Sequence, residues 1–201
     1  MKTIFIDRDG VINKDPGGWT KHEYVTEFKD FHFLPGALDA LRLLNRNRMQ
    51  VIMISNQAGV SKGHFTKKRL DEITAMMLAE IKKNHGKVTE VCYCIHRNED
   101  NCNCRKPKPG MLEAAIKKYN VTPRESHMIG DSEVDILAGN AAGLSTIFVL
   151  SGKNDMEEMK KWKIKPDYIF KDLLEAVNWI LLKEKRKFER SIRREKKGKK
   201  R

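Results

Sequence analysis

Short apolar runs rich in β-branched residues alternate along the chain with longer segments in which apolar residues recur every three or four positions. This pattern predicts strands at 3–6, 51–54, 88–95, 127–129, 146–150 and 168–170. It predicts helices between them, for example where apolar residues fall at 70, 73, 77 and 81. Because strands and helices alternate and two-residue hairpin signals are few, we expect an α/β fold with a doubly wound parallel sheet, covered by helices in three layers.

Three helix starts can be placed from residue types that commonly precede a helix. Thr66 stands before KKRLDEI, Pro109 with Gly110 before MLEAAIKKY, and Asp172 before LLEAVNWILL. The last of these helices is expected to run into the basic end of the chain.

Length and charge divide the chain unequally. At 201 residues and 40% hydrophobic, it has the size of one domain. The net charge is +13, and residues 183–201 hold twelve Lys or Arg against three Glu, which gives +9 and leaves +4 for residues 1–182. We therefore expect one domain at 1–182 and a basic extension at 183–201.

Neither interval that could hold a lid domain is long enough for one. Only 45 residues separate Asp9 from Ser55, and 49 separate Asn56 from Lys106, and predicted helices and strands already occupy both intervals. We expect a site covered by loops alone, with no large cap domain.

The sequence indicates a cytoplasmic protein that does not enter a membrane. Lys2 is followed almost at once by acidic residues rather than by a long apolar leader. No apolar run approaches the roughly 20 residues that a helix needs to span a bilayer.

Polar side chains follow three of the predicted strands: Asp7 with Asp9, Ser55 with Asn56, and Asp131 with Asp135. Parallel strands bring their carboxyl ends to one edge of a sheet, where ligands commonly bind. Crowded carboxylates repel one another and ordinarily need a cation, and a set of oxygen ligands favours Mg²⁺.

Nearby cations complete a site suited to phosphoryl transfer. Arg105 and Lys106 would add positive charge, and the Ser55 hydroxyl could hold an anion. One of the two carboxylates of DRDG would attack phosphorus, while the other exchanges a proton with the leaving oxygen and with water. Taken alone, DRDG would also fit a simple polar turn.

All four cysteines fall within one 13-residue window, CYCIHRNEDNCNC. Such clustering in a reducing compartment favours a metal site over a disulfide framework. Cys94, His96, Cys102 and Cys104 would make a tetrahedral zinc site without an open position, and therefore a structural one. Because Cys92 and Cys94 share a face of a strand, the spacing leaves open an all-cysteine site that omits His96.

Four successive segments, DRDGVIN, SNQAGVSKG, CRKPKPGM and GDSEVD, resemble the motifs of the haloacid dehalogenase (HAD) phosphatase superfamily. The resemblance is to the zinc-containing branch that holds heptose bisphosphate and histidinol-phosphate phosphatases, and it covers roughly residues 2–152. It implies that Asp7 is the nucleophile and Asp9 the general acid and base. Ser55 and Lys106 would hold the phosphoryl oxygens, and Asp7, the backbone carbonyl of Asp9 and Asp131 would bind Mg²⁺.

The resemblance extends these assignments to zinc and substrate. It favours Cys94, His96, Cys102 and Cys104 as zinc ligands in a loop at 92–106, which leaves Cys92 as a buried thiol. Asp135 would lie outside the set of direct magnesium ligands. Substrate contacts are expected from Asp15, Pro16, Gly17 and Gly18, from Asn56, Gln57 and Ala58, and from Arg105.

The sequence leaves three activities to compare, two of them from this branch. NQAGVSKGHFT resembles the corresponding stretch of the heptose bisphosphate enzymes, whereas the five-residue spacing between His96 and Cys102 also occurs in histidinol-phosphate enzymes. We expect a monomeric enzyme that removes one phosphate from D-glycero-D-manno-heptose 1,7-bisphosphate. A nucleic-acid-binding polynucleotide phosphatase that uses the basic extension is the third reading, and the zinc cysteines argue against it.

Overall fold

The computed structural model describes residues 2–198, and the side chains of residues 2–191. Six strands and six α-helices follow one another in the order β1 (Thr3–Ile6), α1 (Ala37–Arg46), β2 (Gln50–Asn56), α2 (Lys67–Lys83), β3 (Glu90–Cys94), α3 (Gly110–Tyr119), β4 (His127–Gly130), α4 (Glu133–Ala141), β5 (Ser145–Val149), α5 (Met156–Lys161), β6 (Tyr168–Phe170) and α6 (Leu173–Gly198). Short 3₁₀ turns occupy Phe28–Asp30 and Pro123–Glu125.

The six strands form one parallel sheet in the order β3-β2-β1-β4-β5-β6. The central strand β1 pairs with β2 on one side and β4 on the other, so that Ile4 lies beside both Val51 and His127. The chain winds outward from β1 to β3 and then returns to build the other half from β4. This confirms the expected doubly wound α/β fold, with a topological switch between β1 and β4.

Helices cover both faces of the sheet because successive strand residues point to opposite sides. Ile4 and Ile6 belong to the core cluster that also contains most of the buried residues of α1 and α2, together with those of α6. Phe5, between them, packs with Leu112 of α3 and Ala138 of α4. All three β1 residues are fully buried, which fits a strand covered on both faces.

The predicted helix starts are confirmed by local hydrogen bonds. Thr66 caps α2, where its side chain accepts a hydrogen bond from the Arg69 amide at 3.1 Å. Asp172 does the same for α6 by accepting from the Glu175 amide at 2.9 Å. Pro109 directly precedes α3. The strands also fall where the apolar pattern places them, within one to two residues at each end.

Helix α6 passes through the boundary expected at 182/183 without a break. Its first turns pack against the core through four buried residues, Leu173, Ala176, Val177 and Ile180. Glu184 still contacts Lys2 by an ion pair, whereas every residue from 185 to 191 is exposed. Residues 199–201 of the basic extension lie outside the described part. Within that part, no helix is both long and apolar enough to cross a bilayer.

His127, at the start of β4, is buried and is expected to make stability depend on pH. Burial, helped by Lys183 and Lys187, lowers its pKa to about 4 from an ordinary value near 6.5. Between these pKa values the unfolded chain binds more protons than the folded one. Above pH 6.5, His127 therefore leaves the free energy of unfolding unchanged. As the pH drops from 6.5 toward 4, this free energy falls by roughly 3 kcal/mol, at 1.36 kcal/mol for each pH unit.

Replacement by His127→Phe isolates this effect, because the ring beside Trp179 is kept but cannot titrate. Urea unfolding of both proteins at pH 7 and pH 4.5 should show a smaller loss of unfolding free energy in the variant. Equal losses in the two proteins would contradict the assignment.

Candidate active site

A polar cleft of about 510 Å³ opens beyond the carboxyl ends of the central strands, next to the topological switch. Its walls include the residues that follow three strands, namely Asp7 after β1, Ser55 and Asn56 at the end of β2, and Asp131 after β4. Asp9, Asp15, Pro16, Arg105 and Lys106 also line it. Side chains that are far apart in sequence are thus brought to one edge, as expected for a parallel sheet.

Lys106 connects the parts of this cleft. Its buried ammonium group lies 3.0 Å from Asp7 Oδ1 and 2.5 Å from Asp135 Oδ1, and it donates a hydrogen bond to the Ile54 carbonyl at 2.8 Å. Asn56 fixes the Lys106 backbone from β2, because its side chain accepts from the amide at 3.1 Å and donates to the carbonyl at 3.0 Å. The loop after β3 is therefore tied to the ends of β1 and β2.

Burial controls the protonation of these groups. It raises the pKa of Asp7 to about 7, with Asp135 and Asp9 acting in the same direction and Lys106 opposing them. Burial, Asp135 and Asp7 together hold the pKa of Asp131 well above its ordinary value. Burial alone would lower the pKa of Lys106, but the carboxylates of Asp135 and Asp7 raise it on balance. The site is short of positive charge for its buried carboxylates.

Three carboxylates form a group that suits a hard cation. Oxygen atoms of Asp7, Asp131 and Asp135 lie within 4.8 Å of one another, and all three residues are buried. Asp131 Oδ2 accepts from the Lys153 amide at 2.6 Å. Both oxygens of Asp135 are engaged, Oδ1 by Lys106 and Oδ2 by the Ser132 hydroxyl at 2.6 Å. An oxygen-only donor set of this kind fits Mg²⁺, and Asp7 and Asp131 are its least committed members.

The carboxylate of Asp9 has different partners from that of Asp7. Arg8 binds it through two oxygens, with Nη2 2.9 Å from both Oδ1 and Oδ2. Asn13 donates to Oδ1 at 2.9 Å and Gln57 to Oδ2 at 2.7 Å. By contrast, Asp7 Oδ1 forms an ion pair with Lys106 and accepts from the Arg8 amide at 2.7 Å, and within the described residues no hydrogen bond reaches Oδ2.

The Arg8 guanidinium that holds Asp9 is itself fully buried. It lies 6.0 Å from the centre of the Phe31 ring and 5.8 Å from that of Tyr93. Burial lowers the pKa of this guanidinium, but Asp9 and Tyr93 together raise it on balance. The sequence pattern does not indicate that Arg8 is buried, because an arginine that follows a strand usually faces solvent.

The chain turns at Gly10, directly after Asp9. Its φ of 79° lies in the left-handed region, and a Cβ at this position would overlap the Asp131 carboxylate and the Gly152 backbone. Ser151 donates to the Gly10 carbonyl at 2.8 Å and so joins this turn to the loop after β5.

The remaining substrate-contact predictions divide into three groups. Asn56, Asp15, Pro16 and Arg105 line the cleft, and Arg105 donates to the Asn98 side chain at 2.6 Å. Gly17 and Gly18 line a neighbouring cleft instead. Gln57 and Ala58 are buried and are not among the described residues that line either cleft; Gln57 bonds to Asp9 and Ser55.

The loop after β3 gathers four potential metal ligands. The Sγ atoms of Cys94, Cys102 and Cys104 lie 3.3 to 3.6 Å apart, and His96 Nδ1 lies 3.2 Å from Cys104 and 3.7 Å from Cys94. These separations are close to the edge of about 3.8 Å for a tetrahedron with zinc–sulfur bonds of about 2.3 Å. Burial raises the pKa of the Cys94 thiol to about 12, so that its ionisation here requires a cation.

Cys92 lies outside this group of four. It packs against the apolar cluster beneath α3, and burial raises the pKa of its thiol to about 11. The alternative that spacing left open, a site that uses every cysteine and omits His96, does not match this geometry.

Comparisons with known proteins agree with the fold described above. A family model described as HAD-hydrolase-like matches residues 103–176. The chain is 34% identical to the D-glycero-beta-D-manno-heptose-1,7-bisphosphate 7-phosphatase of Haemophilus ducreyi, over 89% of this chain and 98% of that protein. The enzyme of the same name from Pasteurella multocida is 36% identical, over 80% of this chain and 88% of the relative.

A solved structure shows the same similarity in three dimensions. It is the D,D-heptose 1,7-bisphosphate phosphatase from B. bronchiseptica complexed with magnesium and phosphate, with a TM-score of 0.84 and 30% identity, over 91% of this chain and 99% of that one. Together with the site, these matches define a phosphatase of the HAD superfamily. Within it, the chain belongs to the family of D-glycero-beta-D-manno-heptose-1,7-bisphosphate 7-phosphatases.

The ion pair of buried Arg8 with partly buried Asp9 predicts a large effect of Arg8→Met on stability. Methionine can occupy the space between the rings of Phe31 and Tyr93, but it leaves Asp9 without its charged partner. We expect the free energy of unfolding to fall by about 3 kcal/mol, as for other half-removed buried pairs. Urea denaturation measures this change.

Arg42→Met is the matched control, because its ion pair with Asp39 is exposed. The expected loss there is within about 1 kcal/mol. Equal losses of unfolding free energy for the two substitutions would show that the Arg8–Asp9 pair stabilises the fold no more than an exposed ion pair does.

Proposed function

We propose that this phosphatase is a Mg²⁺-dependent phosphomonoesterase that removes one phosphate from D-glycero-D-manno-heptose 1,7-bisphosphate through an aspartyl-phosphate. The observation that carries the proposal is the contact of Lys106 with Asp7 at 3.0 Å in a cleft that Asp131 also lines. The names of the relatives, which cover most of the chain at 33 to 36% identity, support the same substrate.

Asp7 is the proposed nucleophile. Lys106 and the Arg8 amide hold Oδ1, and this fixes the carboxylate while leaving Oδ2 to attack phosphorus. The bond from Oδ2 to phosphorus forms as the bond from phosphorus to the sugar oxygen breaks. Water then releases phosphate from the aspartyl-phosphate and regenerates the Asp7 carboxylate.

Asp9 is the proposed general acid and base. It would give a proton to the departing sugar oxygen and later take one from the attacking water. Arg8, Asn13 and Gln57 occupy its oxygens. A proton on Asp9 therefore requires one of the two neutral amide donors, Asn13 or Gln57, to release its oxygen, while Arg8 keeps the carboxylate in place.

Ser55 and Lys106 are proposed to hold the phosphoryl oxygens. Ser55 Oγ already accepts a hydrogen bond from Gln57 at 3.1 Å, which leaves its proton for an oxygen of the substrate. Asn56, on the cleft wall, positions the Lys106 backbone. Arg105 is the candidate for recognition of the sugar.

Asp7, Asp131 and the backbone carbonyl of Asp9 are the proposed Mg²⁺ ligands. A bound Mg²⁺ would neutralise charge on the phosphoryl oxygens and on the buried carboxylates. The magnesium and phosphate in the B. bronchiseptica structure support the choice of Mg²⁺ as the metal. Asp135, with both oxygens engaged, would orient Lys106 and the start of α4.

Zn²⁺ bound by Cys94, His96, Cys102 and Cys104 would serve a structural role. The cluster has four protein donors and so no open position for water. Its last ligand, Cys104, directly precedes Arg105 and Lys106, and the metal would therefore fix the loop that carries these two cations.

The alternatives receive less support. The relatives named above bear heptose bisphosphate names, which does not favour the histidinol-phosphate reading. No described residue of the basic extension lines either cleft. A polynucleotide phosphatase that holds its substrate with this extension would need such a contact. A monomeric state and a cytoplasmic location stay predictions from the sequence.

A substrate panel tests the proposal. Phosphate release from heptose 1,7-bisphosphate, histidinol phosphate and p-nitrophenyl phosphate is measured with Mg²⁺ and with chelator. The heptose bisphosphate is expected to give the highest kcat/KM, and chelator should abolish turnover. Asp7→Asn should reduce release to the background rate, since an amide cannot attack phosphorus, whereas the exposed Asp71→Asn should behave as wild type. Turnover by Asp7→Asn at normal rates would refute the mechanism.

Zinc content provides an independent prediction with a control inside the same window. Elemental analysis of the purified protein should find about one zinc per chain. Cys104→Ser should lose most of this zinc, and Cys92→Ser should keep it because Cys92 stands outside the cluster. Zinc-free wild-type protein, or loss of zinc from Cys92→Ser alone, would contradict the assignment.

A further inference from the structure

A groove of about 720 Å³ lies at the edge of the sheet opposite the catalytic cleft. One wall is the outer part of α6, with Leu182 and Phe188, and the other is Lys2 with the loop after α1. Lys2 precedes β1 and Met49 precedes β2, so the groove adjoins the strand starts, whereas the catalytic cleft opens at the strand ends. A partner in the groove would therefore leave the active site open.

The α6 wall presents large apolar side chains that the domain does not cover. Leu182 is 48% exposed and Phe188 is 68% exposed, the highest value among the large apolar residues of the described part. Leu181, Lys185 and Phe188 follow one another at helical spacing and so share one face of α6. Contiguous exposed apolar side chains bordered by charge are typical of an interaction surface.

The same surface carries cations without acidic partners. Arg48 and Lys185 line the groove, and Arg186 and Arg190 follow on the exposed part of α6. Within the part of the chain whose side chains are described, none of these four forms an ion pair. Their charge is therefore available to a partner.

Acidic side chains do little to offset this charge. Glu184 is the only acid among the described residues that line the groove, and Lys2 and Lys187 both form ion pairs with it. The basic extension at 183–201, which continues α6, has a net charge of +9. The groove and the extension thus favour a partner that is both anionic and apolar.

We propose that residues 181–191 of α6 and the loop at 47–49 form a docking surface for an anionic lipid bilayer. Basic amphipathic helices lie in the plane of a membrane surface, with apolar side chains at the acyl boundary and cations at the headgroups. Lysine and arginine suit this position because their aliphatic stems cover apolar surface while the charge reaches the phosphates. The catalytic cleft, at the opposite edge of the sheet, would face the solution that supplies a phosphorylated sugar.

Two other occupants match this surface less well. RNA has the charge, but it stacks its bases on aromatic side chains, and Phe188 is the only aromatic residue among those described that line the groove. A second copy of the chain would bring like charges together. A bilayer uses the cations and the apolar side chains at the same time.

Sedimentation with lipid vesicles tests the docking surface. The full-length protein is mixed with vesicles of phosphatidylcholine, either alone or with about 30% phosphatidylglycerol, an anionic lipid. The bound fraction gives an apparent Kd. Binding to the anionic vesicles should be at least about tenfold tighter, since several lysines and arginines would lie near the headgroups.

The double variant Leu182→Gln/Phe188→Gln removes the apolar side chains of the α6 wall and keeps its charge and a good helix former. Its affinity for the anionic vesicles should be about tenfold lower than that of the wild type. Met76→Gln is the matched control, because Met76 is 50% exposed on α2 and does not line the groove. Its affinity should equal that of the wild type.

Hydrolysis of p-nitrophenyl phosphate provides the second measurement. All three proteins should hydrolyse it at equal rates with and without vesicles, because the variants are folded and the cleft stays open at the other edge of the sheet. Inhibition of the wild type by anionic vesicles would contradict this orientation.

Other outcomes would reject the bilayer as the partner. Equal binding of the wild type to both kinds of vesicle, or to neither, would remove the role of anionic lipid. Equal binding of the wild type and the double variant to anionic vesicles would show that the groove is not the docking surface. A single-stranded RNA that binds the wild type more tightly than the vesicles do, or a dimer in light scattering that the double variant lacks, would identify a different occupant.

Discussion

The site depends on the ion pairs that the buried ammonium group of Lys106 forms with Asp7 and Asp135. It lies within 3.0 Å of Asp7, Asp135 and the Ile54 carbonyl, and so joins the ends of β1 and β2 to the start of α4. A buried ammonium is costly unless paired, and buried carboxylates that lack a cation become protonated. The ion pairs of Lys106 therefore offset the cost of burying these groups, and the loop after β3 must be placed accurately to supply the lysine.

A second buried cation separates the two aspartates of DRDG. Arg8 binds Asp9 through both oxygens and leaves Asp7 to Lys106. Two carboxylates only one residue apart thus have different partners and freedom: Asp9 is surrounded by donors, and Asp7 keeps one oxygen without a hydrogen bond in the described part of the chain. Different environments for neighbouring carboxylates are what a nucleophile and a proton-transfer group require.

The loops around these residues take the place of a lid domain. The four-ligand cluster after β3 holds the segment that ends in Arg105 and Lys106, while the segment after β1 forms the wall shared by two clefts. Selectivity in such a site comes from a few side chains on loops that the sheet positions.

Local pattern alone determined the elements of this protein. Apolar periodicity predicted the six strands, residues such as Thr66 and Asp172 marked helix starts, and the polar residues after strands indicated one catalytic edge, since side-chain period and strand direction are local properties. Spacing did not decide whether Cys92 or His96 is the fourth ligand of the zinc site, because each lies two residues from Cys94 in the sequence. It also did not reveal the burial of Arg8 or the groove beside α6. These features depend on segments that meet only after folding, and tertiary packing alone brings Phe31 and Tyr93 to Arg8, and Lys2 to the groove that Phe188 lines.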